Sequence, residues 1–222
     1  MRLYLSSFRF GSHPEILIEF SGKRSVAVIS NALDFIPNDA RRAYERNVYS
    51  PHEDFASLGL NSVDLDLRDY FGKPEALQRE LKDFGLVWVM GGNAFLLMRA
   101  LQQSAFPELI RDMLNRDEIA YGGFSAGAVV AAQTLRGIEI MDDPVQLAEG
   151  YHPEPCWRGL GLVDFSIVPH YRSEHPEAEA AEATVAYMIE NKMNFRAMAD
   201  GEIFLSRSGV AEFLPKEVLV SQ

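Results

Sequence analysis

Cysteine is nearly absent: Cys156 is the one thiol in 222 residues. A single cysteine excludes an internal disulfide and a Cys-based zinc cluster, and it suits a reducing compartment. Positive charge is also scarce, with 21 Lys and Arg against 32 Asp and Glu and a net charge of -11. Such a chain lacks the basic face with which nucleic-acid binders track phosphates, whereas a neutral or cationic small partner is readily accommodated. No run approaches the roughly 20 apolar residues that span a bilayer. The opening stretch "MRLYLSSFRFGSHPE" has neither the apolar core nor the cleavage site of a signal peptide, so it reads as a first strand and predicts a cytoplasmic protein. Repeats, low-complexity tracts and Pro/Gly/Ser linkers are missing as well. One domain over residues 1–222 is therefore expected, as a monomer or homodimer.

What is present is an alternation of short apolar runs and longer amphipathic ones. "RLYLSS" and "SVAVISNA" read as buried strands, with a short helix between them over "HPEILIEFSG". Helical spacing covers "PNDARRAYERNVYSPHEDFASLG", and "VDLDLRDY" predicts a third strand. "KPEALQRELKDFG" has Pro near its start and Gly at its end, a helix signature. Then come the apolar strand "LVWVMGGN", two helices over "AFLLMRALQQS" and "PELIRDMLNRD", and a strand, turn and helix over "EIAYGGFSAGAVVAAQTL". "VDFSIVPHY" predicts a strand, "EAEAAEATVAYMIENK" a helix, and "RAMADGEIFLSRSG" and "VAEFLPKE" the closing strands. Strands alternating with helices imply an α/β fold with a mainly parallel sheet covered on both faces and a hairpin-like end. Sites in such sheets lie at the carboxyl ends of the strands.

Three motifs fall there. Gly123-Phe124-Ser125-Ala126-Gly127 matches G-x-S-x-G, the pattern of a sharp turn that lifts a serine out at a helix N-terminus. The same small residues equally serve close helix–sheet packing. Val89-Met90-Gly91-Gly92-Asn93 is a second glycine turn, either a plain connection or a place where a backbone N–H approaches a substrate carbonyl. His170 ends "SIVPHY", where a general base for Ser125 would stand; His152 and His175 are its competitors, in loop-like stretches. A zinc site built from His152, His170, His175 and nearby carboxylates has no recognised ligand spacing, and no metal or organic cofactor is expected. Asp200, in "AMADGEIF", follows in the order Ser, His, Asp.

Four stretches taken together, "VMGGNAF", "YGGFSAGAVVA", "GLGLVDFSIVPHY" and "ADGEIFLSRSG", resemble the S51 serine peptidases, which include bacterial aspartyl dipeptidase (peptidase E) and cyanophycinase. The resemblance implies a three-layer, class I glutamine amidotransferase-like (flavodoxin-like) fold with a strand, nucleophile elbow and helix, and a serine where those amidotransferases carry a cysteine. It implies Ser125 as nucleophile, His170 as base and then acid, and the N–H groups of Gly92 and Ala126 as oxyanion hole. The family acid is a glutamate in a Pro-Glu-Gly turn; here the turn reads Ala199-Asp200-Gly201, so Asp200 takes that role, with Glu202, Asp142 and Asp143 as alternatives. The arginine that receives the aspartyl carboxylate in those dipeptidases has no match in the acidic segment after His170, and Arg172, beside Tyr171, is the nearest candidate. Asn93, Tyr171 and Arg172 are the expected substrate contacts. The implied partner is a small peptide. A non-catalytic ligand-binding protein on the same fold is the rival, and a glutaminase is disfavoured because the elbow carries Ser. Residues 142–158 have the Pro, Gly and aromatic content of either a lid or an ordinary surface loop.

Overall fold

The computed structural model describes residues 1–22 and 24–216. β1 (Leu3–Ser6) is buried along its length, α1 (Ile16–Ser21) follows as a short helix, and β2 (Ser25–Ile29) is the second apolar strand. The long helical segment breaks into α2 (Asn38–Asn47) and α3 (Pro51–Ser57). Pro51 has no N–H to continue a helix, so the break falls just before it. β3 (Ser62–Asp64) is shorter than the strand expected over 63–70, and Leu67–Tyr70 winds into a 3-10 turn. The cause is local: the Asp66 carboxylate accepts the Arg68 N–H at 3.0 Å and caps that turn.

α4 (Pro74–Leu81), β4 (Phe84–Val89), α5 (Ala94–Gln103), α6 (Phe106–Asn115) and β5 (Ala120–Phe124) follow the expected order. The helix after the elbow, α7, covers only Ala126–Val129. Then come β6 (Ser166–Val168), α8 (Ala178–Glu190), β7 (Phe195–Ala197), β8 (Ile203–Arg207) and β9 (Val210–Leu214). The closing strand expected over 210–217 thus stops at Leu214, and Glu217 lies outside the described residues.

The main sheet has the order β3-β2-β4-β5-β1-β8-β9. Its first five strands are parallel, and β8 and β9 add an antiparallel hairpin beside β1. The residues that lead to His170 and to Asp200 do not join it, whereas the rest of the stretch predicted over 196–209 does, as β8. β6 pairs with β7 in a separate parallel pair, Ser166 opposite Phe195 and Val168 opposite Ala197. The edge of β1 that could have received β6 is already taken by β8.

Alternation along each central strand divides the core. Val87 and Val89 of β4, with Leu3 and Leu5 of β1, face one apolar cluster that includes α5 and α6 residues. Leu86 and Trp88, with Tyr4, face a second cluster completed by Phe20 of α1 and Phe55 of α3. The sheet is therefore the middle of three layers. α7 lies so close to β4 that a Cβ on Gly127 would stand 2.1 Å from the Val89 carbonyl oxygen. Gly127→Ala is expected to destabilise the protein by about 3 kcal/mol, because backbone on both sides leaves nothing flexible to yield. A urea midpoint that matches wild type would show that the two elements can part at little cost.

Candidate active site

Ser125 joins β5 to α7 with φ 48 and ψ -118, a backbone conformation that side chains with a Cβ rarely adopt. Main-chain hydrogen bonds hold it there. The Ser125 N–H donates to the carbonyls of Ser6 and Ser7 at 3.3 and 3.2 Å, and its own carbonyl accepts the N–H groups of Ala128 and Val129 at 2.9 Å each. The side chain is left to point off the sheet end at a helix start.

The Gly91-Gly92 turn sits beside it. Gly92 has φ 133, and a Cβ there would come within 2.6 Å of the Ala32 carbonyl oxygen, so only glycine fits. The Asn93 N–H is used by that same carbonyl at 3.0 Å. The N–H groups of Gly92 and Ala126, in contrast, donate none of the loop and turn hydrogen bonds among the described residues.

His170 stands two residues beyond β6, buried, at φ 61. Its Nδ1 is 2.8 Å from Asp200 Oδ1, so the shorter acid reaches the ring. Ser7, at the end of β1, ties the pair together: its Oγ accepts the His170 N–H at 2.8 Å and donates to Asp200 Oδ1 at 2.8 Å. The Asp200 N–H is in turn held by Ser173 Oγ at 2.8 Å. Burial acts to raise the Asp200 carboxyl, but the hydrogen bonds from His170 and Ser7 outweigh it and leave the group below the usual carboxylate range.

The other face of His170 is covered by His175, whose ring stacks on it at 3.7 Å and 7° from parallel. Burial and the neighbouring imidazole both push His175 down, towards its neutral form. His170 Nε2 lies 3.7 Å from Glu177 Oε2. No hydrogen bond among the described residues joins it to Ser125 Oγ, although Ser125, His170, His175 and Glu177 all line one cavity of about 360 Å³.

The model of a family described as Peptidase family S51 matches residues 11–209. The chain belongs to peptidase family S51. As a member it is a peptidase-type hydrolase, similar to proteins named Peptidase E. An uncharacterized peptidase of Pasteurella multocida is 27% identical over 196 residues, 83% of either chain. The Peptidase E of Streptomyces coelicolor is 30% identical over 72% of this chain and 65% of its own length. The crystal structure of a peptidase E candidate from Listeria monocytogenes superposes with a TM-score of 0.74 at 23% identity, over 96% of this chain and 98% of that one. That of a peptidase from an acI-B1 Actinobacterium gives 0.68 at 16% identity, over 96% and 87%. These two likenesses speak for the fold.

The remaining expected residues of this S51 chain fall elsewhere. Asn93 is spent as the cap of α5: its Oδ1 accepts the Leu96 N–H at 2.9 Å and its amide donates to the Asp143 carbonyl at 2.9 Å. The Arg172 guanidinium packs over the Tyr171 ring at 4.9 Å in solvent, and neither residue lines the cavity. Glu202 caps the Ala199 N–H at 2.8 Å, Asp142 caps Ala94 at 2.8 Å, and Asp143 caps Val145 at 2.9 Å. Of the four carboxylates, Asp200 is the one bonded to His170. Burial pushes Asp142 up to about 7.

His152 is not part of the cluster around His170; its backbone N–H donates to Gln103 and its carbonyl accepts from Arg99. His170, His175 and Glu177 do cluster, with ligand atoms within 4.8 Å of one another. Two rings stacked in parallel planes, however, cannot both aim an in-plane nitrogen lone pair at one ion, so this arrangement does not suit a metal. The segment 142–158 is stapled to α5: the buried Arg99 donates to the carbonyls of Pro144, Gln146, His152 and Pro153 at 2.8 to 3.3 Å. None of its residues lines the cavity. Among the described residues no helix is long and apolar enough to cross a membrane.

Sequence reading missed Ser7 and the stacking role of His175. The serines of "RLYLSS" read as strand terminators, and nothing local marks one as a ligand to a residue 163 positions away.

Proposed function

We propose that the protein is a serine-type peptidase that hydrolyses a dipeptide or a similarly small amide through an acyl-enzyme. The observation that carries the reading is that Ser125 and His170, whose ring is bonded to Asp200 from behind, line one cavity of about 360 Å³, a size suited to a small ligand. Ser125 Oγ attacks the scissile carbonyl while His170 Nε2 takes its proton. The contact between them closes by side-chain rotation as substrate fills the cavity, as is common for catalytic hydrogen bonds that are long in free enzymes. The N–H groups of Gly92 and Ala126 receive the oxyanion. His170 then protonates the leaving amine, and water, deprotonated by the same imidazole, releases the acid. Asp200 fixes the Nδ1–H tautomer and balances the imidazolium. On this reading one domain carries the whole site, and its sheet is of the class I amidotransferase kind with serine in place of cysteine.

A fluorophosphonate probe under native conditions tests it. Labelling is expected on Ser125 and is expected to vanish in Ser125→Ala. No labelling, together with no turnover across a dipeptide panel, would overturn the reading.

A further inference from the structure

The cavity that carries Ser125 and His170 also holds an arginine that the reaction above leaves unused. Arg9 lies on the loop leaving β1, at φ 47, a backbone region that is costly for a residue with a Cβ. Its carbonyl accepts the Ser6 hydroxyl, which fixes the turn. The guanidinium lies 4.2 Å from the centre of the Tyr49 ring and 5.1 Å from that of Phe8. Aromatic faces on two sides hold the cation in place without consuming its N–H groups.

Arg9 Nε is buried and has no hydrogen-bond partner. Beside it the Tyr49 hydroxyl faces Asp54 without a well-formed hydrogen bond. Asp54 itself is raised by burial and pulled back by Arg9, yet no ion pair within 4 Å joins the two among the described residues. The contrast with the other arginine on the cavity wall is direct. Arg41 is bonded to Asp34 at 2.9 Å and lies 3.8 Å from Glu45, so its charge is already answered inside the protein. Nε itself is closed off, but no hydrogen bond among the described residues uses the terminal N–H groups of this guanidinium either, which leaves them for a ligand in the cavity that Arg9 lines. The fork of N–H groups on a guanidinium matches a carboxylate better than any other small anion found on peptides. The wall around it, with Leu33, Ile36, Tyr44 and Met90, is apolar.

We propose that Arg9 is a specificity-determining residue that receives a carboxylate of the substrate, while the apolar wall takes the uncharged remainder of the molecule. The proposal rests on the peptidase reading for the word substrate, but not for the binding. The carboxylate is either the free terminus of a dipeptide or an acidic side chain, and the two sources are separable.

The test compares three ligands: Leu-Phe, its C-terminal amide, and the amide of Asp-Phe. Each is measured as kcat/KM on the wild type, Arg9→Gln and Arg9→Lys, and as a melting shift on Ser125→Ala with and without Arg9→Gln, which needs no turnover. Arg9→Gln is expected to lower kcat/KM for a carboxylate-bearing ligand by about 30-fold relative to the Leu-Phe amide. Arg9→Lys, which keeps the charge and loses the fork, is expected to fall between. A loss confined to Leu-Phe assigns the terminal carboxylate; a loss confined to the Asp-Phe amide assigns the side chain. Equal losses on all three ligands, or none, in protein that melts like wild type would overturn the proposal. Arg9-dependent melting shifts in a protein whose wild type turns nothing over would sustain Arg9 and remove the peptidase reading.

Discussion

Ser125→Ala is expected to lower kcat by about 10⁵-fold on any peptide that the wild type cleaves, a loss typical of removing a serine nucleophile. Melting temperature is expected to change little. Among the described residues no hydrogen bond uses the Ser125 hydroxyl: the elbow is held by the Ser125 N–H and carbonyl, which alanine retains. Alanine at φ 48 inherits the strain of serine without adding to it. The outcome separates two readings of the same five residues, since Gly127 is required by packing against Val89 whether or not the protein is active. Steady-state kinetics with a melting curve on the same sample decides it. A residual kcat within tenfold of wild type would remove Ser125 from the reaction.

Asp200→Asn is expected to cost about 10⁴-fold in kcat/KM, because an amide at this position can donate to Nδ1 and leave the proton on the wrong ring nitrogen. The same substitution has a signature in stability that a purely kinetic role lacks. The folded Asp200 carboxyl is held below its ordinary value, so its ionisation stabilises the fold above the unfolded carboxylate pKa of about 3.9 and that contribution disappears as pH falls through the folded value. The gap in unfolding free energy between wild type and Asp200→Asn is therefore expected to be widest near neutrality and to shrink below about pH 4. A gap that stays constant with pH would mean that the carboxylate charge is not what His170 and Ser7 hold. Asp200→Glu tests reach: with Asp200 Oδ1 already at 2.8 Å from the ring, an added methylene has to displace the Ser7 or Ser173 contact.

The parts of the site that were legible in the sequence are those made by one strand and the turn after it. β4 and β5 are apolar runs ending in glycines, and close packing requires both the glycines and the turn, so Gly92 and Ser125 announce themselves locally. His170 was readable as a histidine after an apolar run, but not its setting. Three-residue strands such as β6 and β7 are chosen by a partner 29 residues away, and no period of two can emerge from so short a stretch. Asn93 is a helix cap, and a cap and a substrate contact look alike in sequence: both are a polar residue after a glycine turn. Arg9 carries no local signal, because of the two rings that hold it Phe8 is its neighbour but Tyr49 lies beyond α2. The shortened acid at position 200 is one of two departures from the family pattern, and it still reaches the His170 ring, in a position shared with a Ser7 hydroxyl that no spacing rule would have selected.

The place of β1 in the sheet gives the site a position in time. Leu3 pairs with Tyr121 on one side and with Ser206 on the other, so the strand earliest in the chain waits for partners more than a hundred residues downstream. Its last residues carry the carbonyls that grip Ser125 and lead to the hydroxyl that joins His170 to Asp200. Contacts of such long sequence separation have to meet a large loop-closure entropy before they are rewarded, which favours late pairing of this strand. A chain with its helices formed but this strand still unpaired has neither the elbow nor the acid–base pair. On the proposed function, hydrolytic competence then waits for the finished sheet, and partly folded chains are spared from acting on their neighbours.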